Sequence, residues 1–285
     1  MLVRVATGTV LIAIVVALVW WGPAALLAAV AAAAAIVALH EFLALGERVG
    51  LRAFRLWSMV CAAGLFYAQY SSGMMETHDF GAFLMIRQNA VGLAVSVVSV
   101  FLIFLFGCVA IGLATRRPLQ DVLPAISISA AGQLFIALPF SYLVRVNEIG
   151  RASRELVLFT LCLIWAGDTL AYFVGRSIGR LPMAPALSPK KTWEGAFANM
   201  VGSLLVAILF ARWMQTDTLS LLLIAGLANA AGQMGDLIES AYKRGAGVKD
   251  SSSLLPGHGG MLDRIDSLIL ASPVVWVAWQ WLAAR

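Results

Sequence analysis

The sequence predicts an all-α polytopic integral membrane protein with about nine transmembrane helices and a cytoplasmic N-terminus. Hydrophobic residues make up 61% of the 285 residues and charged residues only 12%, whereas soluble domains are roughly 45–50% apolar. The mean hydropathy of +0.89 agrees with this composition. Apolar runs of the roughly 20 residues that cross a bilayer as a helix recur along the whole chain. The composition therefore excludes an ordinary soluble domain.

Nine apolar stretches define the predicted helices. In chain order they cover residues 4–20, 24–45, 54–71, 91–114, 122–143, 156–175, 194–214, 218–237 and 266–284. The first stretch, with Arg4 ahead of an apolar core, also resembles the start of a signal peptide. No convincing small-residue cleavage site precedes the turn at Trp20-Trp21-Gly22-Pro23. We therefore interpret it as the first transmembrane helix.

The distribution of Lys and Arg predicts the orientation, because cytoplasmic loops carry an excess of these residues. With nine spans and a cytoplasmic N-terminus, most of the 20 Lys and Arg residues fall on the inner side, including Lys190 and Lys249. Arg285 then falls outside. This orientation depends on an odd number of spans.

The chain divides into a chemically poor first part, residues 1–150, and a polar second part, residues 151–285. The first part is predicted to be a scaffold of transmembrane helices, and the second to carry a catalytic site. Cys61, Cys108 and Cys162 fall in different predicted helices without metal-ligand spacing. We interpret them as small apolar residues and predict no disulfide.

The first polar block runs from Trp165 to Met200, "WAGDTLAYFVGRSIGRLPMAPALSPKKTWEGAFANM". Asp168 lies within an apolar run, where a carboxylate needs a cation, a metal or several donors. In "SPKKTWEG", Ser188 or Thr192 can cap a helix start next to two lysines. A Lys-bearing loop that leads into a helix N-terminus suits phosphate. The alternative is a cytoplasmic basic loop with a capped helix.

The second polar block runs from Ala231 to Ser267, "AGQMGDLIESAYKRGAGVKDSSSLLPGHGGMLDRIDS". Helical spacing places Asp236, Glu239 and Ser240 on one face, and Asp263 and Asp266 project together from the start of the last helix. Carboxylates at two neighbouring helix ends, surrounded by basic residues, predict a Mg²⁺ site with positions open for phosphate. The alternative is that the aspartates stabilise a helix N-terminus and pair with nearby bases.

The second block resembles the signature of the phosphatidate cytidylyltransferases, also called CDP-diacylglycerol synthases. The matching residues are Ser240, Lys243-Arg244, Lys249-Asp250, Ser252, Leu255-Pro256, His258-Gly259-Gly260, Asp263-Arg264 and Asp266. "GDTLAYFVGRSIGR" and "LSPKKTWEG" are similar to the other polar segments of that family. Bacterial members usually have glycine where this chain has Ser252. The first half of the chain resembles the family only as a set of apolar helices.

The resemblance implies that CTP and phosphatidate react to give CDP-diacylglycerol and pyrophosphate at the cytoplasmic face of a bacterial inner membrane. It implies Mg²⁺ with K⁺ beside it, membrane lipid as a partner and a homodimer, but no nucleic acid. Metal ligands carried over by position are Asp236, Asp263 and Asp266. Predicted catalytic residues are Lys243, Arg244, Lys249, Asp250, His258 and Arg264. Predicted substrate-binding residues are Asp168, Arg176, Ser188, Lys190, Lys191, Thr192, Glu194, Ser240, Gly259 and Gly260.

Some alternatives remain open on the sequence alone. His258 is either an acid/base, a ligand or a residue that holds its turn together. A CTP-dependent lipid kinase would transfer the γ-phosphate and release CDP. A transporter would also place carboxylates within the membrane, but it should have related halves with interrupted helices, and no such repeat is visible.

Overall fold

The computed structural model describes residues 2–77, 96–115, 117–150, 152–254 and 259–282. These residues form ten α-helices, one π-helical turn and one two-stranded hairpin. The chain divides into two compact units, one of Val10–Ser153 and one of Met1–Thr9 with Arg154–Arg285.

The helices agree closely with the apolar stretches of the sequence. They are α1 (Leu2–Trp21), α2 (Ala24–Arg48), α3 (Arg55–Thr77), α4 (Val97–Ala114), α5 (Leu119–Gly132), α6 (Leu138–Val146), α7 (Ser153–Ile178), α8 (Trp193–Met214), α9 (Thr218–Gly245) and α10 (Leu262–Leu282). The π-helical turn, Gln133–Ala137, joins α5 and α6 into one continuous apolar segment.

Seven of the described helical segments are long and apolar enough to cross a membrane. They are α2, α4, the α5–α6 segment, α7, α8, α9 and α10. This supports a polytopic membrane protein. The prediction of nine spans also needs α1 and α3 to cross, and neither helix is long and apolar enough by the same measure within its described residues. The start predicted for the fourth span, residues 91–95, lies outside the described residues.

The unit of Val10–Ser153 has an apolar core that includes the fully buried Leu39, Leu65 and Phe104. Some buried polar groups in this unit are hydrogen-bonded across helices. Gln133 Nε2 in the π-helical turn donates to the Ser58 carbonyl over 2.6 Å. Such bonds stabilise the packing of polar side chains away from water.

In the unit of Arg154–Arg285, glycines allow close helix packing. A Cβ on Gly202 of α8 would lie 3.0 Å from the Ala166 carbonyl oxygen of α7. A Cβ on Gly235 of α9 would lie 2.5 Å from the Asp266 carbonyl oxygen of α10. Helix backbones therefore approach closely where the polar residues of α7, α9 and α10 occur, as small residues permit in membrane bundles.

The segment between α7 and α8 contains an antiparallel hairpin that the all-α prediction did not include. Its strands are β1 (Pro182–Ala184) and β2 (Ser188–Thr192), with Pro182 opposite Thr192 and Ala184 opposite Ser188. Thr192 ends β2 and caps α8, because its hydroxyl accepts the Gly195 N–H over 3.2 Å. The predicted capped helix start is therefore confirmed, and the two lysines before it lie on a strand.

Candidate active site

Residues of both polar blocks line one cavity of about 300 Å³. Its wall is formed by the C-terminal halves of α7 and α9, the end of β2 and the starts of α8 and α10. Asp168, Lys190, Lys191, Thr192 and Asp236 are the predicted site residues that line it. The structure therefore brings together two segments that are separated by more than 30 residues in the sequence.

Three carboxylates at the α9–α10 contact form a compact cluster, which we call the acidic cluster. It consists of Asp236, Glu239 and Asp266, and each offers one oxygen within 4.8 Å of the others. Asp236 and Glu239 share a face of α9 because they are three positions apart. Gly235 allows α10 to lie close enough for Asp266 to join them.

Lys191 is paired with the acidic cluster. Its Nζ forms an ion pair with Asp236 Oδ2, and both side chains are about 30% exposed or less (28% and 30%). β2 thus places a positive charge next to the acidic cluster of α9 and α10. Lys190, next to it on the strand, also lines the cavity and is exposed.

Lys243 joins the acidic cluster to the loop that precedes α10. Its Nζ lies 2.6 Å from Glu239 Oε2 and 2.6 Å from Asp263 Oδ1. The side chain of Lys243 is only 12% exposed. A buried ammonium group between two carboxylates is well compensated, because each charge has a partner of opposite sign.

Asp263 bonds the loop with one oxygen, and its other oxygen shares Lys243 with Glu239 of the acidic cluster. Its Oδ2 accepts the Ser251 N–H over 3.0 Å, the Ser251 hydroxyl over 2.8 Å and the Gly260 N–H over 2.7 Å. A Cβ on Gly259, where φ is +78°, would lie 2.7 Å from the same oxygen. Glycine is therefore required there by both backbone conformation and space.

A chain of side-chain amides connects the cavity to the interior of the helix bundle. Asn199 Nδ2 on α8 donates to Asp168 Oδ1 on α7 over 3.0 Å. Asn229 Nδ2 on α9 donates to Asn199 Oδ1 over 2.5 Å and to Ser203 Oγ over 2.6 Å. Gln233 Nε2 donates in turn to Asn229 Oδ1 over 2.6 Å. Asn199 of α8 thus holds Asp168 directly, and Asn229 and Gln233 of α9 support Asn199 from behind.

Several predicted site residues support the loops around the cavity. Arg244 Nε donates to the Leu187 carbonyl over 3.0 Å, which ties the hairpin to the end of α9. Glu194 Oε1 accepts the Arg180 N–H over 3.1 Å and the Leu181 N–H over 3.3 Å. Arg176 Nη1 donates to the Tyr172 hydroxyl over 2.8 Å.

The remaining predicted residues lie outside the cavity wall. Ser240 is buried in α9, and Ser188 pairs with Ala184 at the start of β2. Lys249, Asp250 and Arg264 are exposed. His258 lies outside the described residues, so its role stays a prediction.

Sequence reasoning missed Glu239 as a ligand candidate and missed the amide network. Glu239 is 3% exposed, and its Oε1 has no hydrogen-bond partner among the described residues. Helical spacing placed Glu239 on the same face of α9 as Asp236. The metal ligands carried over from the family resemblance were Asp236, Asp263 and Asp266, and did not include it. Asn199, Ser203 and Asn229 were visible as polar residues within apolar runs, which is a signal for interhelical hydrogen bonds.

The donor set of the acidic cluster fits a divalent cation. Mg²⁺ takes oxygen ligands at about 2.0–2.1 Å in octahedral geometry, so its ligand oxygens lie roughly 3–4 Å apart. The three oxygens lie within 4.8 Å of one another, a limit slightly wider than that spacing, and Glu239 Oε1 is a buried acceptor without a hydrogen-bond partner among the described residues. Metal held there would lie beside the cavity and the lysines of β2, where phosphate groups are favoured.

The comparisons with known proteins agree with these features. The profile of a cytidylyltransferase family matches residues 2–282. The phosphatidate cytidylyltransferase of Bacillus subtilis is 38% identical over 145 residues, which are 50% of this chain and 54% of that protein. The Haemophilus influenzae protein of the same name is 42% identical over 124 residues, 41% of this chain and 43% of the relative.

A further relative, the phosphatidate cytidylyltransferase of Rickettsia prowazekii, is 33% identical over 159 residues. The match covers 53% of this chain and 69% of that relative. The chain thus spans about half the length of the first two relatives and more than two thirds of the third.

Proposed function

The chain belongs to the cytidylyltransferase family, and on this premise we propose that it transfers the cytidylyl group of CTP to phosphatidate. The products are CDP-diacylglycerol and pyrophosphate. The observation that carries the proposal is the cavity in which the lysines of β2 meet the acidic cluster of α9 and α10. It combines cationic side chains for phosphate with carboxylates for a metal ion.

In the proposed reaction, a phosphate oxygen of phosphatidate attacks the α-phosphorus of CTP. The bond between that phosphorus and the oxygen that bridges to the β-phosphate breaks, and pyrophosphate leaves with the electron pair. Two anionic groups must approach each other, so repulsion between them is the main obstacle. The phosphatidate phosphate is already ionised, and for this reason no strong general base is needed and positioning dominates.

The residues of the cavity wall have separate roles in this proposal. Lys190 and Lys191 neutralise phosphate oxygens from β2, and Thr192, which also lines the cavity, caps the start of α8 next to them. Lys249 and Arg264, which are exposed, attract the triphosphate and the lipid headgroup. Arg244 and Glu194 hold the surrounding loops in place.

We propose Asp236, Glu239 and Asp266 as the residues that would hold Mg²⁺. When bound there, Mg²⁺ would supply positive charge that stabilises the reacting phosphates and the developing charge on pyrophosphate. Asp263 contributes indirectly, because it fixes Lys243 beside Glu239. Asp168, on the α7 part of the cavity wall and held by Asn199, would be the carboxylate available to K⁺.

The membrane setting follows from the substrate. The acyl chains of phosphatidate can stay in lipid while the headgroup enters the cavity, which is formed by the ends of helices long enough to span a bilayer. We further propose nine spans, a cytoplasmic N-terminus, and a cavity that faces the cytoplasm from a bacterial inner membrane. The homodimer implied by the family resemblance is tested by light scattering on the detergent-solubilised protein.

Product analysis tests the proposed function. Purified protein is incubated with Mg²⁺, CTP labelled at the α-phosphate, and phosphatidate in neutral detergent micelles. We expect label in a lipid product and unlabelled pyrophosphate in solution. Asp266→Asn is the matched inactive control, because it keeps the side-chain volume and removes one charge from the acidic cluster.

The alternatives give different products in the same assay. A CTP-dependent lipid kinase would leave all label in free CDP, and a transporter would leave CTP intact. Either result would reject cytidylyl transfer.

A further inference from the structure

The ammonium group of Lys191 contacts the acidic cluster, which is the proposed binding site of a metal ion. Lys191 Nζ contacts Asp236 Oδ2, and Asp236 is one of the three carboxylates with metal-ligand spacing. An ammonium group and a divalent cation that share one carboxylate repel each other. Occupation of the cluster by metal therefore favours departure of the Lys191 ammonium.

We propose that Lys191 exchanges partners during the reaction cycle. It is the internal counter-ion of Asp236 when the acidic cluster holds no divalent cation, and it neutralises a substrate phosphate when the cation is bound. This inference rests on the proposed function, since the second partner is the nucleotide or lipid phosphate.

The side chain of Lys191 can make this exchange without movement of the backbone. The strand that carries it is fixed at both ends, by pairing with β1 and by the Thr192 cap of α8. Its side chain is 28% exposed and lines the cavity. A lysine has a flexible four-carbon stem and three rotatable donors, so its ammonium can turn from Asp236 into the adjacent space.

Lys243 provides the contrast within the same site. Its ammonium lies between Glu239 and Asp263, and its side chain is 12% exposed. Departure would leave two carboxylates without this partner, which is costly for buried charges. The structure therefore assigns the mobile role to Lys191 and a fixed, structural role to Lys243.

Binding of Mn²⁺ without any substrate tests the first half of the proposal. Mn²⁺ prefers the same oxygen ligands as Mg²⁺, and its free concentration is measured by electron paramagnetic resonance in neutral detergent. We expect Lys191→Met to bind Mn²⁺ at least about fivefold more tightly than the wild type, the lower end of typical coupling between two ligands. Lys191→Arg keeps the charge and should bind Mn²⁺ with an affinity near that of the wild type.

Lys190→Met is the matched control, because it removes an equal charge from the neighbouring position of β2. The Lys190 side chain is exposed, and solvent screens its charge, so we expect a change in Mn²⁺ affinity of no more than about twofold. Equal or weaker Mn²⁺ binding by Lys191→Met would overturn the proposal. A gain of the same size in both methionine variants would also overturn it, because the effect would then be general electrostatics.

The second half is tested with a CTP analogue that has a methylene group between the α- and β-phosphates, at saturating Mn²⁺. We expect Lys191→Met to bind it at least about tenfold more weakly than the wild type, equivalent to about 1.4 kcal/mol. An unchanged affinity for the analogue would show that a substrate phosphate is not the second partner of Lys191. The Mn²⁺ titration contains neither substrate, so failure of cytidylyl transfer alone would leave the first half standing.

Discussion

The two carboxylates next to Lys243 differ in what their oxygens contact. Asp263 accepts bonds from Lys243, Ser251 and Gly260, and these hold the loop before α10. Glu239 contacts Lys243 with one oxygen and has no hydrogen-bond partner for the other among the described residues. At the scale of single residues, Glu239 is the better candidate for a metal ligand, and Asp263 is the better candidate for a structural anchor.

Substitution of these two residues should therefore separate metal binding from stability. We expect Glu239→Gln to raise the Mg²⁺ concentration for half-maximal activity by about tenfold or more, equivalent to about 1.4 kcal/mol. Its melting temperature should fall less than that of Asp263→Asn, because Lys243 keeps Asp263 as a partner. Asp263→Asn should lower the melting temperature by several degrees, because hydrogen bonds to charged groups contribute about 1.5–3 kcal/mol each. Thermal unfolding in detergent and Mg²⁺ titration of turnover measure the two effects.

The opposite result would make Asp263 the metal ligand and Glu239 the structural residue. If Asp263→Asn kept its melting temperature but needed far more Mg²⁺, the metal role predicted for Asp263 from the sequence would be supported instead.

At the scale of helices and strands, hydropathy predicted where helices lie but not how far they extend. The eighth predicted stretch ended at residue 237, whereas α9 continues to Gly245. The ninth began at residue 266, whereas α10 begins at Leu262. A hydropathy criterion stops at charged residues, although the backbone remains helical through them. Both extensions carry site residues, Glu239 and Lys243 on α9 and Asp263 on α10.

The hairpin could not be predicted from local sequence for a different reason. Its strands have three and five residues, at or below the usual strand length of about five to six. Each strand also contains a proline, which cannot donate to the ladder. The contact from Arg244 to the Leu187 carbonyl supports the hairpin from a residue more than 50 positions away. Tertiary contacts of this kind leave no periodic signal in the sequence.

Close packing of α9 against α10 gives a testable prediction at this scale. In Gly235→Ala the new Cβ would lie 2.5 Å from the Asp266 carbonyl oxygen, a backbone atom that cannot move alone. The helices must separate, and Asp266 then moves away from Asp236. We expect turnover to fall by at least about tenfold, equivalent to about 1.4 kcal/mol, and the Mg²⁺ requirement to rise.

Gly226→Ala is the matched control on the same helix. A Cβ at this position has nothing within 4 Å, and alanine is the better helix former by about 1 kcal/mol. We expect unchanged turnover and an equal or higher melting temperature. Turnover assays and thermal unfolding on both variants measure these effects. Wild-type activity in Gly235→Ala would show that close packing of α9 against α10 does not set the geometry of the carboxylates.

At the scale of the whole molecule, composition was sufficient for the membrane class but not for the number of spans. α3 (Arg55–Thr77) is long enough to cross, but Tyr67, Gln69 and Tyr70 lower its hydropathy. In α1, the residues whose side chains the structure describes, Gly8–Trp21, form an apolar helix shorter than a full span. Whether these two helices cross decides which loops face the cytoplasm.

Labelling of single cysteines tests the predicted topology. The native Cys61, Cys108 and Cys162 are first replaced by Ala, and Lys190→Cys, Lys249→Cys or Arg285→Cys is introduced separately. Lys190 and Lys249 are exposed, so a membrane-impermeant maleimide should reach them from the cytoplasmic side of sealed vesicles. Nine spans place position 285 on the opposite side. Labelling of 190 and 249 from the cytoplasmic side and of 285 from the other side supports crossings by α8, α9 and α10 in the predicted orientation, because only these helices separate the three positions. If 190 and 249 were labelled from opposite sides, α8 and α9 would not both cross the membrane, and the proposed cytoplasmic placement of the site would be wrong.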